Sequence, residues 1–147
     1  MIRKSTAVAF AAAVTLTAGM AMAEPAAKVA LHVDDNDPKR MNLVLNNARN
    51  IQKFYDGQGQ EVEIAIVANG PGLHMFRADT SPVIDRISAM SLEFPEIQFQ
   101  GCMNTHAVMT KKAGGTAPEI LEEVTMVPSG AVQLIQLQQQ GWAYLKP

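Results

Sequence analysis

The side chains best suited to chemistry lie together in one short segment, GCMNTH, which begins at Gly101 and contains the single cysteine, Cys102. A thiolate is a strong nucleophile and can carry sulfur as a persulfide. Asn104 or Thr105 can hydrogen-bond the sulfur, and His106 lies one helical turn beyond the cysteine, where it can face it. The segment therefore predicts thiol chemistry at Cys102, with these three side chains in a supporting role.

The same segment allows a second interpretation, a metal or redox-sensing site formed by Cys102 and His106. Two ligands do not make a metal site, and neither His32 nor His74 has a spacing that completes one. The sequence also lacks G-x-G-x-x-G, G-x-x-x-x-G-K-S/T, G-x-S-x-G and C-x-x-C, the signatures of dinucleotide sites, phosphate loops, serine hydrolases and dithiol exchange. We therefore expect no metal and no cofactor.

Strands and helices that alternate along the chain must position Cys102. Apolar, β-branched runs predict five strands, at 28–33, 62–68, 97–101, 124–127 and 142–145. Helical spacing and start signals predict helices that begin at Asp37-Pro38 and at Ser81-Pro82, and others at 102–109, 117–122 and 131–140. This alternation predicts a three-layer α/β sandwich, with a mainly parallel five-stranded sheet and helices on both faces.

Ligands of open α/β sheets bind beyond the carboxyl ends of the strands. The predicted loops at that edge are 34–36, 69–72, 101–104 and 128–130, which puts Cys102 at a strand-to-helix junction. Unpaired N–H groups and the helix dipole lower the pKa of a thiol at such a junction. The other loop residues expected to shape the pocket are Asn69, Gly70, Gly72, Ser129 and Gly130.

The first 23 residues have the pattern of a secretory signal peptide. A positive start with Arg3 and Lys4 is followed by an apolar run over 7–20 and by the small-x-small site Ala21-Met22-Ala23. The apolar run is shorter than the roughly 20 residues that span a membrane. We therefore expect cleavage after Ala23, a periplasmic protein that is free of the membrane, and a single domain over 24–147.

Composition narrows the classes of partner. Without its first 23 residues the chain has 10 basic and 14 acidic residues, a formal charge of −4, which argues against nucleic acid as a partner. One cysteine excludes an internal disulfide. In an exported protein Cys102 is then either a reactive thiol, one that pairs with another molecule, or a small buried apolar side chain.

From Lys28 to Pro147 the chain resembles the DsrE/DsrF-like family of small sulfur-relay proteins, in particular its exported branch. Four stretches carry the resemblance: NLVLNNARN at 42–50, VANGPGL at 67–73, GCMNT at 101–105, and 127–140 with the following GWAYLKP. The resemblance implies a mainly parallel five-stranded sheet and a homo-oligomer, trimeric or hexameric. It also implies that Cys102, which matches the family's cysteine, carries sulfur as a persulfide between partner proteins.

These observations predict a periplasmic sulfur-handling protein in which Cys102 accepts and hands on sulfur. It would be at most a sulfurtransferase-like carrier, with a sulfur donor and an acceptor as partners. The alternative is a non-catalytic protein that binds a small ligand or anion at the strand ends, with Cys102 as a packing residue. The characterised relays act in the cytoplasm, so an exported member would need other partners.

Overall fold

The computed structural model describes residues 25–147, and the predicted signal peptide lies outside them. The elements in chain order are β1 (Ala27–Val33), α1 (Pro38–Asp56), β2 (Val62–Ala68), a 3₁₀ helix (Gly70–Phe76), α2 (Ile84–Glu93), β3 (Gln98–Cys102), α3 (Met103–Lys112), β4 (Val124–Val127), α4 (Gly130–Gln139) and β5 (Ala143–Leu145). Within this part of the chain, no helix has the length and apolar character needed to cross a membrane.

The five strands form one sheet in the order β4-β3-β2-β1-β5, and every neighbouring pair is parallel. This confirms the predicted fold class. Because the strands run the same way, all five carboxyl ends meet at one edge of the sheet. The register sets Val33 beside Ala68, Ala68 beside Gly101, and Cys102 beside Val127, so the loops that follow the strands lie side by side.

Helices cover both faces of the sheet and form two cores of different size. The larger core lies under α1 and α2, whose Met41, Val44, Ile87 and Met90 are fully buried. The smaller core lies under α4, where Leu134 and Leu137 pack with Trp142 on the small side chains of the sheet. Burial of each leucine contributes about 1.5–3 kcal/mol, which holds the first turn of α4 in place against the strand ends.

Helix α1 begins as predicted. Asp37 is its N-cap and accepts a hydrogen bond from the Lys39 N–H at 2.9 Å, with Pro38 at the first helical position. The asparagines of α1 then join it to α2, because the Arg86 guanidinium donates to the Asn42 carbonyl and side chain and to Asn46 Oδ1. In this structure the asparagine-rich stretch of α1 therefore holds two helices together.

The prediction of a helix at 117–122 is wrong. Ile120 instead forms an isolated antiparallel bridge with Arg77, supported by the Leu121 N–H on Phe76 O and the Ala78 N–H on Glu119 O. The Ala-Pro pair does not start a helix here. The pairs with Phe76 and Ala78 satisfy backbone N–H and C=O groups that a single helical turn would leave without a hydrogen bond. Pro118 also disfavours the helical conformation for the residue before it, Ala117.

Three other segments differ from the prediction by more than one residue. Helix α2 begins at Ile84, because the Ser81 hydroxyl donates to Met75 O and accepts from the Val83 N–H, which closes a turn before the helix. The loop predicted at 69–72 continues as the 3₁₀ helix. Helix α3 runs to Lys112, three residues beyond its predicted end.

Candidate functional site

Cys102 lies where two helices begin. It is the last residue of β3 and the N-cap of α3, and only 4% of its surface is exposed. No single N–H of α3 is aligned closely enough to cap on the sulfur. The N–H groups of Gly130, Thr105 and Asn104 and the Thr105 hydroxyl nevertheless lower the pKa of the Cys102 thiol. The first N–H of α4 therefore joins those of α3 at one thiol.

These donors set the charge of the sulfur. Burial raises the pKa of the Cys102 thiol, but hydrogen bonding from Gly130, Thr105 and Asn104 outweighs it, and the pKa falls below the ordinary value of 9.0. A lowered pKa means that the thiolate persists to lower pH than in an unfolded chain. The positive ends of two helix dipoles favour the same form. The folded site therefore favours the thiolate of Cys102 more than an unfolded chain does.

Glycine at position 130 allows this convergence. A Cβ added to Gly130 would lie 2.9 Å from the Asn69 Cβ and 3.3 Å from the Cys102 Cβ, so a larger residue would push α4 away from the sulfur. Ser129, the N-cap of α4, accepts a hydrogen bond from the Val132 N–H at 3.4 Å. Ser129 therefore fixes the start of the helix, and Gly130 brings its N–H to the site.

Thr105 connects the sulfur to the loop after β2. Its Oγ1 accepts a hydrogen bond from the Gly70 N–H at 2.9 Å, which leaves the hydroxyl hydrogen to donate toward Cys102. Gly70 adopts a positive φ of 52°, a conformation that favours glycine. Gly72 has a different role, because it passes so close to the end of β1 that a Cβ would lie 2.3 Å from Val33 O. Gly72 therefore serves the fold beneath the site.

Replacing Thr105 with valine is expected to raise the pKa of Cys102, because a donor that favours the thiolate is lost. Alkylation of Cys102 should then become about three- to tenfold slower at neutral pH, since one hydrogen bond to a charged group is removed. The midpoint of the rate against pH should move upward. Thr105→Ser, which keeps the hydroxyl, is the matched control. An unchanged or lowered midpoint in the valine variant would contradict this role for Thr105.

Contrary to the prediction from the sequence, His106 does not face the Cys102 sulfur. Its Nε2 hydrogen-bonds the Pro118 carbonyl oxygen at 2.8 Å, and it is not among the groups that act on the Cys102 sulfur. Among the residues that the structure describes, no group of three or more His, Cys, Asp or Glu side chains is arranged to hold a metal ion. His106 thus ties α3 to the segment that follows it.

An open groove of about 320 Å³ lies along the far part of α3 and does not include Cys102. Its lining residues are Arg77, Asp79, Met109, Ala113, Thr116, Ala117, Pro118 and Glu119. Arg77 and Asp79 already form an ion pair of 2.6 Å, which lowers the pKa of Asp79 to about 2. Two of the three charged side chains that line this groove therefore neutralise each other.

Four side chains at the same edge were not predicted from the sequence as site residues: His32, Tyr144, Asp34 and Lys146. His32 near the end of β1 contacts Asn69 Oδ1 through its Nε2 at 3.1 Å and Tyr144 Oη through its Nδ1 at 2.7 Å. Beside them, Lys146 and Asp34 form an ion pair of 2.6 Å, and hydrogen bonding from Lys146 lowers the pKa of Asp34. The only available signal was the polarity of His32 in an otherwise apolar strand.

No protein-family model matches this sequence, and no curated protein matches it. Among solved structures, the chain is similar to MTH1491 from Methanobacterium thermoautotrophicum, a protein of unknown function. The two share 29% sequence identity over 82% of this chain and 99% of the other, with a TM-score of 0.69. The similarity supports the three-layer α/β sandwich with its parallel five-stranded sheet.

Proposed function

We propose that this protein is an exported sulfur carrier of the DsrE/DsrF-like kind, in which Cys102 accepts sulfane sulfur and hands it on as a persulfide. The observation that carries the proposal is the position of the single cysteine at the N-cap of α3 and beside Gly130 at the start of α4, where the N–H groups of two helix starts surround one thiol. They favour the anionic sulfur, which is the form that attacks a sulfur donor. Export to the periplasm belongs to the same proposal and is supported by the signal-peptide pattern of residues 1–23.

The transfer step balances without an oxidant or a cofactor. The Cys102 thiolate attacks the outer sulfur of a donor persulfide, R–S–SH, and a new S–S bond forms while the donor's own S–S bond breaks. The donor leaves as the thiolate R–S⁻, and the proton of the outer sulfur remains on Cys102–S–SH. That S–H exchanges its proton with solvent, so the persulfide is also present as the anion Cys102–S–S⁻. A lowered pKa also makes Cys102 a good leaving group when an acceptor thiolate later attacks that outer sulfur.

The surroundings of Cys102 suit a carrier better than an enzyme with turnover. The groups that act on its sulfur are N–H groups and one hydroxyl, and none of them is a base or an acid that titrates near neutral pH. Met103 and Asn104, the two residues that follow Cys102, are exposed, so the sulfur lies just beneath the protein surface. Such a site needs a partner to bring the sulfur and another to remove it.

Self-association is part of the proposal, as a trimer or a hexamer. No charged residue occurs from Val124 to Leu145, and α4 exposes Val132 and Ile135 to 49% and 54%. The cores of protein interfaces are depleted in charge in this way. Helix α3 adds an exposed Met103 and has no buried residue of its own. The molar mass of the native protein in solution tests whether it forms a trimer or a hexamer.

Alkylation of the native protein distinguishes the carrier from the alternative, a binding protein with a structural cysteine. Cys102 is the only cysteine, so all labelling by iodoacetamide reports on it. We expect the native protein to be labelled, with a rate whose pH midpoint lies below that of the same chain in denaturant, because folding lowers the pKa of Cys102. Labelling only after denaturation would favour the binding protein.

A further inference from the structure

Three side chains form a hydrogen-bonded chain that ends beside Cys102. Tyr144 Oη lies 2.7 Å from His32 Nδ1, and His32 Nε2 lies 3.1 Å from Asn69 Oδ1. Asn69 and Cys102 both border the start of α4, because the point that a Cβ on Gly130 would occupy is 2.9 Å from the Asn69 Cβ and 3.3 Å from the Cys102 Cβ. The chain thus runs from β5 across β1 to the loop that borders the sulfur.

The chemistry of the partners fixes the direction of each hydrogen bond. An amide oxygen only accepts, so His32 Nε2 must carry a hydrogen and donate it to Asn69. In the neutral imidazole Nδ1 then accepts, and the Tyr144 hydroxyl donates to it. A His32 ring protonated on Nε2 therefore satisfies both partners: it holds the Asn69 amide with its oxygen toward the ring, and the Tyr144 hydroxyl holds the other side of the ring at Nδ1.

This orientation leaves the Asn69 amide nitrogen free to donate. Within residues 25–147, the only side-chain hydrogen bond of Asn69 is the one that its Oδ1 accepts from His32. Without that bond the amide could turn over and present its oxygen, which would repel an anionic sulfur. His32 thus keeps a donor, and not an acceptor, at the border of the Cys102 site.

We propose that His32 and Tyr144 are positioning residues that hold the Asn69 amide N–H₂ toward the outer, anionic sulfur of a persulfide on Cys102. The inference rests on the proposed function, because it assigns a binding group for the sulfur that Cys102 accepts. The donors from Gly130, Thr105 and Asn104 act on the inner sulfur, the Cys102 Sγ itself. Asn69 supplies a separate donor for the atom that is transferred.

The test compares two rates in the same set of variants. His32→Phe removes the donor to Asn69, and Tyr144→Phe removes only the hydroxyl that holds the Nδ1 side of the His32 ring. We expect sulfur loading from inorganic polysulfide, followed by intact mass, to become about tenfold slower in His32→Phe, since a hydrogen bond to a charged group is lost. Alkylation of the unloaded thiol should change less than about twofold, because the Asn69 donor faces the outer sulfur.

His32→Gln, which keeps an N–H donor near the position of Nε2, should restore loading to within about threefold of the wild-type rate. His74→Phe is the matched control, because within residues 25–147 the His74 side chain bonds only the Thr80 carbonyl, through Nε2 at 3.1 Å. If His32→Phe does not fold, Tyr144→Phe with its smaller change carries the same test.

The outcomes separate the two proposals. If wild-type protein does not load, the sulfur-carrier function fails whatever the variants do. If the wild-type protein loads sulfur, and His32→Phe and Tyr144→Phe both load it at the wild-type rate, only the positioning role is overturned. Equal falls in loading and alkylation, without rescue by His32→Gln, would show a merely structural effect and would also overturn it.

Discussion

Replacing Cys102 with serine is expected to abolish both sulfur loading and alkylation while the fold survives. A serine hydroxyl does not ionise near neutral pH, so the nucleophile is lost completely. Serine is a preferred N-cap residue, and Cys102 occupies the N-cap of α3 with an extended backbone. The free energy of unfolding should therefore stay within about 1 kcal/mol of the wild-type value, as measured by urea denaturation.

The serine variant separates the roles of the thiol. A variant that still gains sulfur from polysulfide would contradict the assignment of Cys102 as the carrier. A loss of several kcal/mol of stability, by contrast, would indicate that the thiol is chiefly a packing group in the strand end. The Thr105→Ser variant, which keeps both the thiol and its hydroxyl donor, is the control for general effects of substitution at this site.

Gly72→Ala is expected to destabilise the protein by about 3 kcal/mol or more, which is the largest stability effect that we predict. Its Cβ would lie 2.3 Å from Val33 O, 2.6 Å from the Val33 carbonyl carbon and 2.8 Å from the Asp34 N. These are backbone atoms at the carboxyl end of β1 and cannot rotate away. The 3₁₀ helix would have to move, and with it the loop that contacts Thr105.

A second glycine provides the comparison for this effect. Gly59 has nothing within 4 Å of an added Cβ, but it has a φ of 66°. Gly59→Ala should therefore lose only about 1–2 kcal/mol, the cost of a left-handed backbone conformation for alanine. The midpoints of urea denaturation of Gly72→Ala and Gly59→Ala compare the two losses of stability. Equal losses would contradict the close crossing of Gly72 over β1.

The strands and the position of Cys102 were predictable because they depend on local pattern. The run VEIAIVA at 62–68 has almost no polar residue, which is typical of a strand covered on both faces, and the strand is buried along nearly its whole length. Alternation with helices then requires parallel strands. Once the strands are parallel, the end of each one must lie at the same edge, and this is where Cys102 lies.

The parts that were not predictable depend on which distant elements become neighbours. His32 meets Tyr144 because β5 pairs with β1 at the sheet edge, and no residue in either strand signals that choice of partner. The segment 117–122 fails as a helix for the same reason, since its backbone partners at Phe76 and Ala78 lie far away in sequence. Local helix signals are weak against such tertiary pairing.

The role of His106 shows the limit of spacing alone. Four residues separate it from Cys102, but a cysteine at the N-cap lies outside the regular helix, so the pair does not share a helical face in the usual way. The Nε2 of His106 is also hydrogen-bonded to the Pro118 carbonyl oxygen. The Gly130 N–H, which the sequence places 28 residues away from Cys102, acts on the sulfur instead.

Intact-protein mass after incubation with inorganic polysulfide tests the central claim most directly, because it detects the transferred atom itself. The account predicts additions of about 32 Da, the mass of one sulfur atom, that are removed by a reducing thiol and absent in Cys102→Ser. An unmodified mass, under conditions that convert a small control thiol to its persulfide, would contradict a carrier role for Cys102.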